Sequence, residues 1–161
     1  MGYIALYLFG IVAANLIVAQ FGAWITPLTG FVFIGMDITT RDKLHDAWEH
    51  KGLVWKMTLL IASGSALSWL INRNADMIAL ASFAAFAVSG VIDALVYQFV
   101  KRSKFERVNW SNLASAAVDS VLFPAIAFGW PPSMEIVYGQ ATAKIAGGLF
   151  WSLIFHKEEE A

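Results

Sequence analysis

Among the ionisable side chains in the apolar stretches of this sequence, four stand out: Asp37, Asp93, Asp119 and Lys144. A charge in an apolar surrounding is costly unless it is paired or neutralised, so such residues are functional candidates by default. Carboxylates and an ammonium group can bind the polar edge of a small molecule, and a carboxylate can also carry a proton. These residues therefore predict a polar site enclosed by apolar segments.

Polar residues recur beside these charges at intervals of three, four or seven, which place them on one face of a helix. Asn15 lies midway along a further apolar segment. Several helices are therefore predicted to turn a polar stripe inward. The stripes are Ser82, Ser89, Asp93 and Tyr97; Asn112, Ser115 and Asp119; and Gln140 and Lys144, continued by Gly147 and Trp151.

The composition is too apolar for an ordinary soluble domain. Of the 161 residues, 58% are hydrophobic and 14% are charged, whereas soluble domains average about 25% charged residues. A small soluble protein cannot hide that much apolar surface, because a large part of its area stays in water. The predicted fold class is therefore an all-α, polytopic membrane protein, with residues 1–161 forming one transmembrane domain.

Six apolar segments approach the ~20 helical residues needed to cross a bilayer. The second is the shortest. It begins with Pro27 in a first-turn position, and its helix can continue through 41–48 as an amphipathic extension. The segments are 3–21, 26–39, 53–71, 77–100, 113–130 and 134–155.

Lys and Arg are distributed unequally between the two sets of loops. With the N-terminus in the cytoplasm, the inner loops and tail hold eight of them and the outer loops hold only Arg73. Basic residues concentrate on the cytoplasmic side, so the sequence predicts a multi-pass protein of the inner (cytoplasmic) membrane with six spans and both termini inside. The inner basic residues are Arg41, Lys43, Lys51, Lys101, Arg102, Lys104, Arg107 and Lys157.

This topology places three of the charges at similar depth. At about 1.5 Å per residue, Asp93 and Asp119 lie ~10 Å from the cytoplasmic ends of their helices, and Lys144 lies ~16 Å from its own. We expect these three side chains to meet across a water-accessible cavity.

The same residues also allow purely structural interpretations. Asp93, Asp119 and Lys144 can form a salt-bridge cluster that only holds helices together. Asp37 and Arg41 are four residues apart and can form an ion pair on one helix. An asparagine such as Asn15 often hydrogen-bonds between membrane helices.

The sequence has no pattern of a catalytic, cofactor or metal site. It contains no cysteine, no Gly-rich phosphate loop and no G-x-S-x-G elbow. His45 and His50 are five residues apart, not the four of a helical zinc pair. Anionic lipid and topology explain the basic run 101–104 better than nucleic acid does. We therefore predict no enzyme and no nucleic-acid partner.

Four short segments, in order along the chain, carry a family resemblance. Residues 33–41 read F-x-x-x-D-x-T-x-R, and residues 81–93 begin with A-S-F and end in Asp. Residues 112–120 read N-x-x-S-x-x-x-D-S and are followed by Ala127-Phe128, while Glu135-Ile136 precede Lys144. In these segments the chain resembles the queuosine-precursor transporters, the vitamin-uptake-transporter-like (VUT) family.

The resemblance implies uptake of a 7-deazaguanine, preQ0 or preQ1, used to make queuosine in tRNA. A carboxylate, Asp119 or Asp93, would accept the N1–H and 2-amino hydrogens of the base. Asn112, Gln140 or Lys144 would donate to its O6 and ring nitrogens. The other expected site residues are Asn15; Asp37 and Arg41 at the cytoplasmic gate; and Tyr97, Phe123 or Trp151 against the flat ring.

The leading hypothesis is thus a small-molecule transporter, and Asp93 or Asp119 would serve a proton-linked mechanism. One alternative is the substrate-binding membrane subunit of an energy-coupling vitamin importer. Another is a structural membrane protein without transport activity. The expected partners are membrane lipid and the small molecule, and small-residue pairs such as Ala143/Gly147 can pack helices within the chain or in a homo-oligomer.

Overall fold

The computed structural model describes residues 2–48, 51–100 and 103–159, and every regular element in these ranges is helical. This confirms the predicted all-α class. The described ranges contain six main helices, with short 3-10 turns before the second and the fourth. They are α1 Gly2–Phe21, α2 26–48, α3 Leu53–Ile71, α4 Asp76–Phe99, α5 Lys104–Phe128 and α6 Met134–Glu159. Of the residues named above, His50, Lys101 and Arg102 lie outside the described ranges.

Helix α2 is longer and less regular than the apolar segment 26–39. It consists of Thr26–Thr29, a π-helical stretch Gly30–Ile34 and Gly35–Trp48, which follow one another without a break. The amphipathic extension is therefore helical through Trp48. It brings Arg41 and its neighbours into the bundle.

Helix α5 begins at Lys104 and not at residue 113, where its apolar segment starts. A capping box explains the difference. The Glu106 N–H donates to Ser103 Oγ at 3.3 Å, and the Ser103 N–H donates to Glu106 Oε2 at 3.3 Å. Because the first two turns are polar, hydropathy alone places the start too late.

Four of the helical segments are long and apolar enough to cross a membrane: Gly2–Phe21, Leu53–Ile71, Arg73–Phe99 and Asn109–Phe128. Helices α2 and α6 would complete the six predicted spans, but neither is among these four. Both carry polar residues of the expected site, among them Asp37 and Arg41 on α2 and Gln140 and Lys144 on α6. The structure thus supports a multi-pass membrane protein, in which four helical segments are long and apolar enough to span the bilayer.

Polar residues lie inside the bundle and large apolar residues lie outside it. Asn15, Asp37, Asp93, Asp119, Gln140 and Lys144 are each at most 6% exposed. In contrast, Val54 is 79% exposed, and other large apolar side chains on the outer surface are also exposed. A protein in water would expose the first group and bury the second, so this arrangement fits a lipid surrounding.

Helices α2 and α6 approach each other at glycines. A Cβ atom on Gly147 would lie 2.2 Å from the Phe31 carbonyl oxygen, and one on Gly35 would lie 2.5 Å from the Gly147 carbonyl carbon. Nearby, Trp151 Nε1 donates to the Val32 carbonyl oxygen at 2.9 Å. Gly147 therefore packs helices within one chain, and it fixes the π-helical part of α2 against α6.

Candidate functional site

A buried polar group joins α5 and α6 at the middle of the bundle. Lys144 Nζ forms an ion pair with Asp119, and it also donates to Gln140 Oε1 at 3.0 Å. Because Gln140 and Lys144 are four residues apart on α6, both side chains face α5. Gln140 Nε2 is buried and has no hydrogen-bond partner among the described residues. The group therefore contains a carboxylate, an ammonium and a spare amide donor.

A small cavity of about 30 Å³ lies beside this group. We call it the far cavity, because its residues lie towards the ends of α1 and α5 and the starts of α2 and α6. By the volume that one buried water occupies, it has room for about two water molecules. Its polar and aromatic lining includes Asn15, Thr29, Ser82, Phe86, Asp119, Phe123, Gln140 and Lys144.

Asn15 connects α1 to α3 at the edge of the far cavity. Its Nδ2 donates to Ser68 Oγ at 3.1 Å, and both residues are buried. The interhelical hydrogen bond anticipated for Asn15 is therefore present. The residue also lines the cavity, so the structural and the ligand-binding interpretations are compatible.

A second polar group joins α2, α4 and α5 near the opposite end of the bundle, where α1 begins and α6 ends. Arg41 Nη2 donates to Asn112 Oδ1 at 2.7 Å and lies 3.4 Å from Asp93 Oδ1. Asn112 Nδ2 in turn donates to Asp42 Oδ2 at 3.1 Å. We call these four residues the Arg41 latch.

The expectation that three charges meet is only partly correct. Asp119 and Lys144 do meet, but Asp93 is paired with Arg41 and does not line the far cavity. The depth of a residue along its own helix could not reveal this pairing, because the cation that Asp93 meets is Arg41, which lies on the polar extension of α2. Tyr97 is partly buried and lines neither the far cavity nor the two larger cavities described below.

A larger cavity of about 220 Å³ lies between α2, α5 and α6. We call it the terminal cavity, since its residues lie towards the end of the bundle that carries the chain termini. Its polar lining includes Thr39, Asp42, Asn109, Asn112, Lys144 and Ser152. Lys144 lines both this cavity and the far cavity. A single side chain thus lies between two spaces at different depths.

Asp37 is separate from both polar groups. Its two carboxylate oxygens are buried and have no hydrogen-bond partner in the described part of the chain. The suggested Asp37–Arg41 ion pair is therefore wrong, because the Arg41 guanidinium is turned to Asp93 and Asn112. Asp37 instead lines a third cavity of about 320 Å³, together with Tyr7, Arg41, His45 and apolar residues of α3 and α4.

Some contributors to these groups were not among the sequence candidates. Phe86 lies beside Phe123 in the lining of the far cavity, whereas Trp151 is bonded to the backbone of α2. Asp42 and Ser68 complete hydrogen bonds of Asn112 and Asn15. A sequence signal existed for Phe86, which is four residues after Ser82 and three before Ser89 and so lies on the polar stripe of α4.

One of three comparisons with known proteins gives a match, and the match is to a transporter family. Residues 4–155 match a family model described as "Putative vitamin uptake transporter". The searches of curated proteins and of solved structures gave no match. The family match covers nearly the whole chain and includes both polar groups and all three cavities. This protein therefore belongs to that family.

Proposed function

We propose that this protein spans the inner (cytoplasmic) membrane six times, with both termini in the cytoplasm, and imports a 7-deazaguanine precursor of queuosine, preQ0 or preQ1. The observation that carries the proposal is the buried Asp119–Lys144–Gln140 group. Its Lys144 lines two cavities, whose residues lie towards opposite ends of the bundle.

The edge of a 7-deazaguanine complements this group. The base presents N1–H and 2-amino donors next to the O6 acceptor. Asp119 can accept from both donors as a bidentate pair, while Lys144 or the unpartnered Gln140 Nε2 can donate to O6. The base would enter between Asp119 and Lys144 and replace their direct contact. Phe86 and Phe123 line the same cavity and offer apolar ring surfaces to the flat base.

The cavity volumes support a route to the cytoplasm. The far cavity, at about 30 Å³, is too small for a bicyclic base, so it must widen before a base can bind there. The terminal cavity, at about 220 Å³, is closer to the roughly 300–1,000 Å³ of small-molecule pockets. A base released when Lys144 moves would enter the terminal cavity, and loading from outside requires the far cavity to widen.

The proposed topology can be tested with single cysteines, because the chain contains none. Ser133 and Ser103 are both exposed and lie in the loops before α6 and α5, which the proposal assigns to opposite sides of the membrane. We expect a membrane-impermeant maleimide to label Ser133→Cys in intact cells, and Ser103→Cys only after permeabilisation. The reverse pattern would refute the orientation, and labelling of both from outside would refute six spans.

Substrate uptake is the direct test of function. Cells unable to synthesise preQ0 should accumulate labelled preQ0 only when they express this protein, and equal uptake without it would reject the proposal.

Binding of the base can be measured on the purified protein. Either preQ0 or preQ1 should raise its unfolding temperature in a thermal-shift assay, because a ligand that binds only the folded state stabilises that state. Asp119→Leu/Lys144→Met removes both charges together and should lose this shift. Uptake into liposomes containing only this protein would exclude a subunit that needs an ATPase partner.

A further inference from the structure

Asp37 is a buried carboxyl group that the substrate site does not use. It lies in the middle of α2 and is 3% exposed, and neither oxygen has a hydrogen-bond partner among the described residues. The group rests against the backbone of α1, since a Cβ atom on Gly10 would lie 2.2 Å from Asp37 Oδ1. The side chain therefore occupies a space that only a glycine at position 10 leaves open.

The ionisable groups around Asp37 do not neutralise it. Helix α1 contributes the buried Tyr7 hydroxyl, and α2 contributes His45 and Arg41, whose guanidinium is bonded to Asp93 of α4 and to Asn112 of α5. Residues of α3 and α4 in this cavity carry no charge; they include Leu53, Met57, Thr58, Phe86 and Ala94. On the other side of α2, the buried Asp119 of α5 and the buried Lys144 of α6 are paired with each other.

An unpaired carboxylate in such a place is unstable, because no hydrogen bond compensates its desolvation and the guanidinium in its cavity, that of Arg41, is bonded to Asp93 and Asn112. A neutral carboxylic acid is far less costly there. The other two buried carboxylates differ, since Asp93 is paired with Arg41 and Asp119 with Lys144. From this contrast we propose that Asp37, and not Asp93 or Asp119, is the proton-binding group that couples this transporter to a proton gradient. The inference rests on the proposed transport function.

The Arg41 latch links the protonation of Asp37 to the packing of α2 against α4 and α5. Arg41 lies one helical turn beyond Asp37 on α2, within the reach of an i, i+4 pair. When Asp37 carries a proton, Arg41 binds Asp93 and Asn112 and joins α2 to α4 and α5. When Asp37 releases its proton to water in the 320 Å³ cavity, the new carboxylate competes for the same guanidinium. Arg41 then leaves Asp93 and Asn112, so α2 loses its bond to α4 here, and its bonds to α5 are reduced to the one that Asn112 donates to Asp42.

The cavity that contains Asp37 and the far cavity beside the substrate site have two lining residues in common. Ile34 of α2 and Phe86 of α4 line both the Asp37 cavity and the far cavity. A movement of α2 that follows release of the latch therefore changes the shape of the far cavity. Proton binding and substrate binding are coupled through two side chains that contact both spaces.

Infrared spectroscopy of the purified protein tests the proton site without any substrate. We expect a carboxylic-acid C=O band at neutral pH in the wild type, in Asp93→Asn and in Asp119→Leu/Lys144→Met, and its loss in Asp37→Asn. Persistence of the band in Asp37→Asn, or its absence from the wild type, would overturn the assignment. If Asp37→Asn does not fold, persistence of the band in the two other variants and in Asp42→Asn, which removes the remaining carboxyl group of the Arg41 latch, assigns it to Asp37 by elimination. Loss of the band in any of these three variants would overturn the assignment.

Transport in liposomes tests the coupling. With an inward gradient of one pH unit and one proton per substrate, the wild type should accumulate labelled preQ0 up to about ten-fold. Asp37→Asn should lose this accumulation but still exchange preQ0 at equal concentrations, and Asp37→Glu should retain part of it. The matched control is Asp76→Asn, the same change at an exposed helix start, and it should behave as the wild type.

The outcomes separate this inference from the proposed function. If uptake of preQ0 by the wild type does not depend on the pH gradient, the proposed role of Asp37 is overturned while the proposed transport function stands. Gradient-driven accumulation by Asp37→Asn would do the same. If no variant binds or transports preQ0 but the infrared band is lost in Asp37→Asn, the proposed substrate is wrong and the proton site is supported.

Discussion

Replacing Asp119 by Asn is expected to lower the free energy of unfolding by about 3–5 kcal/mol. The change leaves the Lys144 ammonium buried without a counter-ion, with only neutral amide oxygens, those of Gln140 and of the new asparagine, to accept its hydrogen bonds. A buried charge without its counter-ion costs more than the pair contributed, because desolvation is no longer offset by attraction. Thermal or chemical unfolding of the purified protein in detergent would measure the loss.

Removing both charges should restore most of that stability. In Asp119→Leu/Lys144→Met no charge remains to be desolvated, and such replacements of buried ion pairs are often neutral. The exposed substitution Asp76→Asn should change stability by no more than about 0.5 kcal/mol. If Asp119→Asn were as stable as the wild type, the ion pair would not be what joins α5 to α6, and the account of the site would need revision.

The second large effect is expected for Gly147→Ala. The added Cβ would lie 2.2 Å from the Phe31 carbonyl oxygen, a backbone atom that cannot turn aside, so α2 and α6 must move apart. Overpacking of this kind costs typically about 1–3 kcal/mol. The separation also removes support from the Trp151–Val32 hydrogen bond and from the cavities beside α2. We expect lower thermal stability in detergent and weaker preQ0 binding.

The adjacent Gly148→Ala is the matched control for this prediction. Its Cβ would meet only Ile38 Cγ2 at 3.8 Å, an ordinary contact. Both substitutions bring the same gain in helix propensity, about 1 kcal/mol, so the difference between them isolates the clash. Equal stability of the two variants would show that α2 and α6 tolerate separation, contrary to the close packing described here.

The sequence by itself determined the membrane setting, the number of main helices and most of their bounds. Hydropathy and helical periodicity are local properties, and they remain valid whatever the neighbours of a helix are. The same periodicity indicated which face of each helix is polar, and Asp93, Asp119 and Gln140 are indeed buried. The predicted start of α5 was wrong, because that start is set by a capping box and not by the onset of apolar residues.

Only the tertiary structure decided which polar group meets which. Lys144 pairs with Asp119, Arg41 pairs with Asp93, and Asp37 is left without a partner. Depth along a helix does not reveal these choices, because they depend on how the helices are rotated and on how closely their backbones approach. The contact of Gly35 with Gly147 sets that approach for α2 and α6. The physical reason is that ion pairs form across helices at distances of a few ångströms, and the order of residues along one chain does not contain those distances.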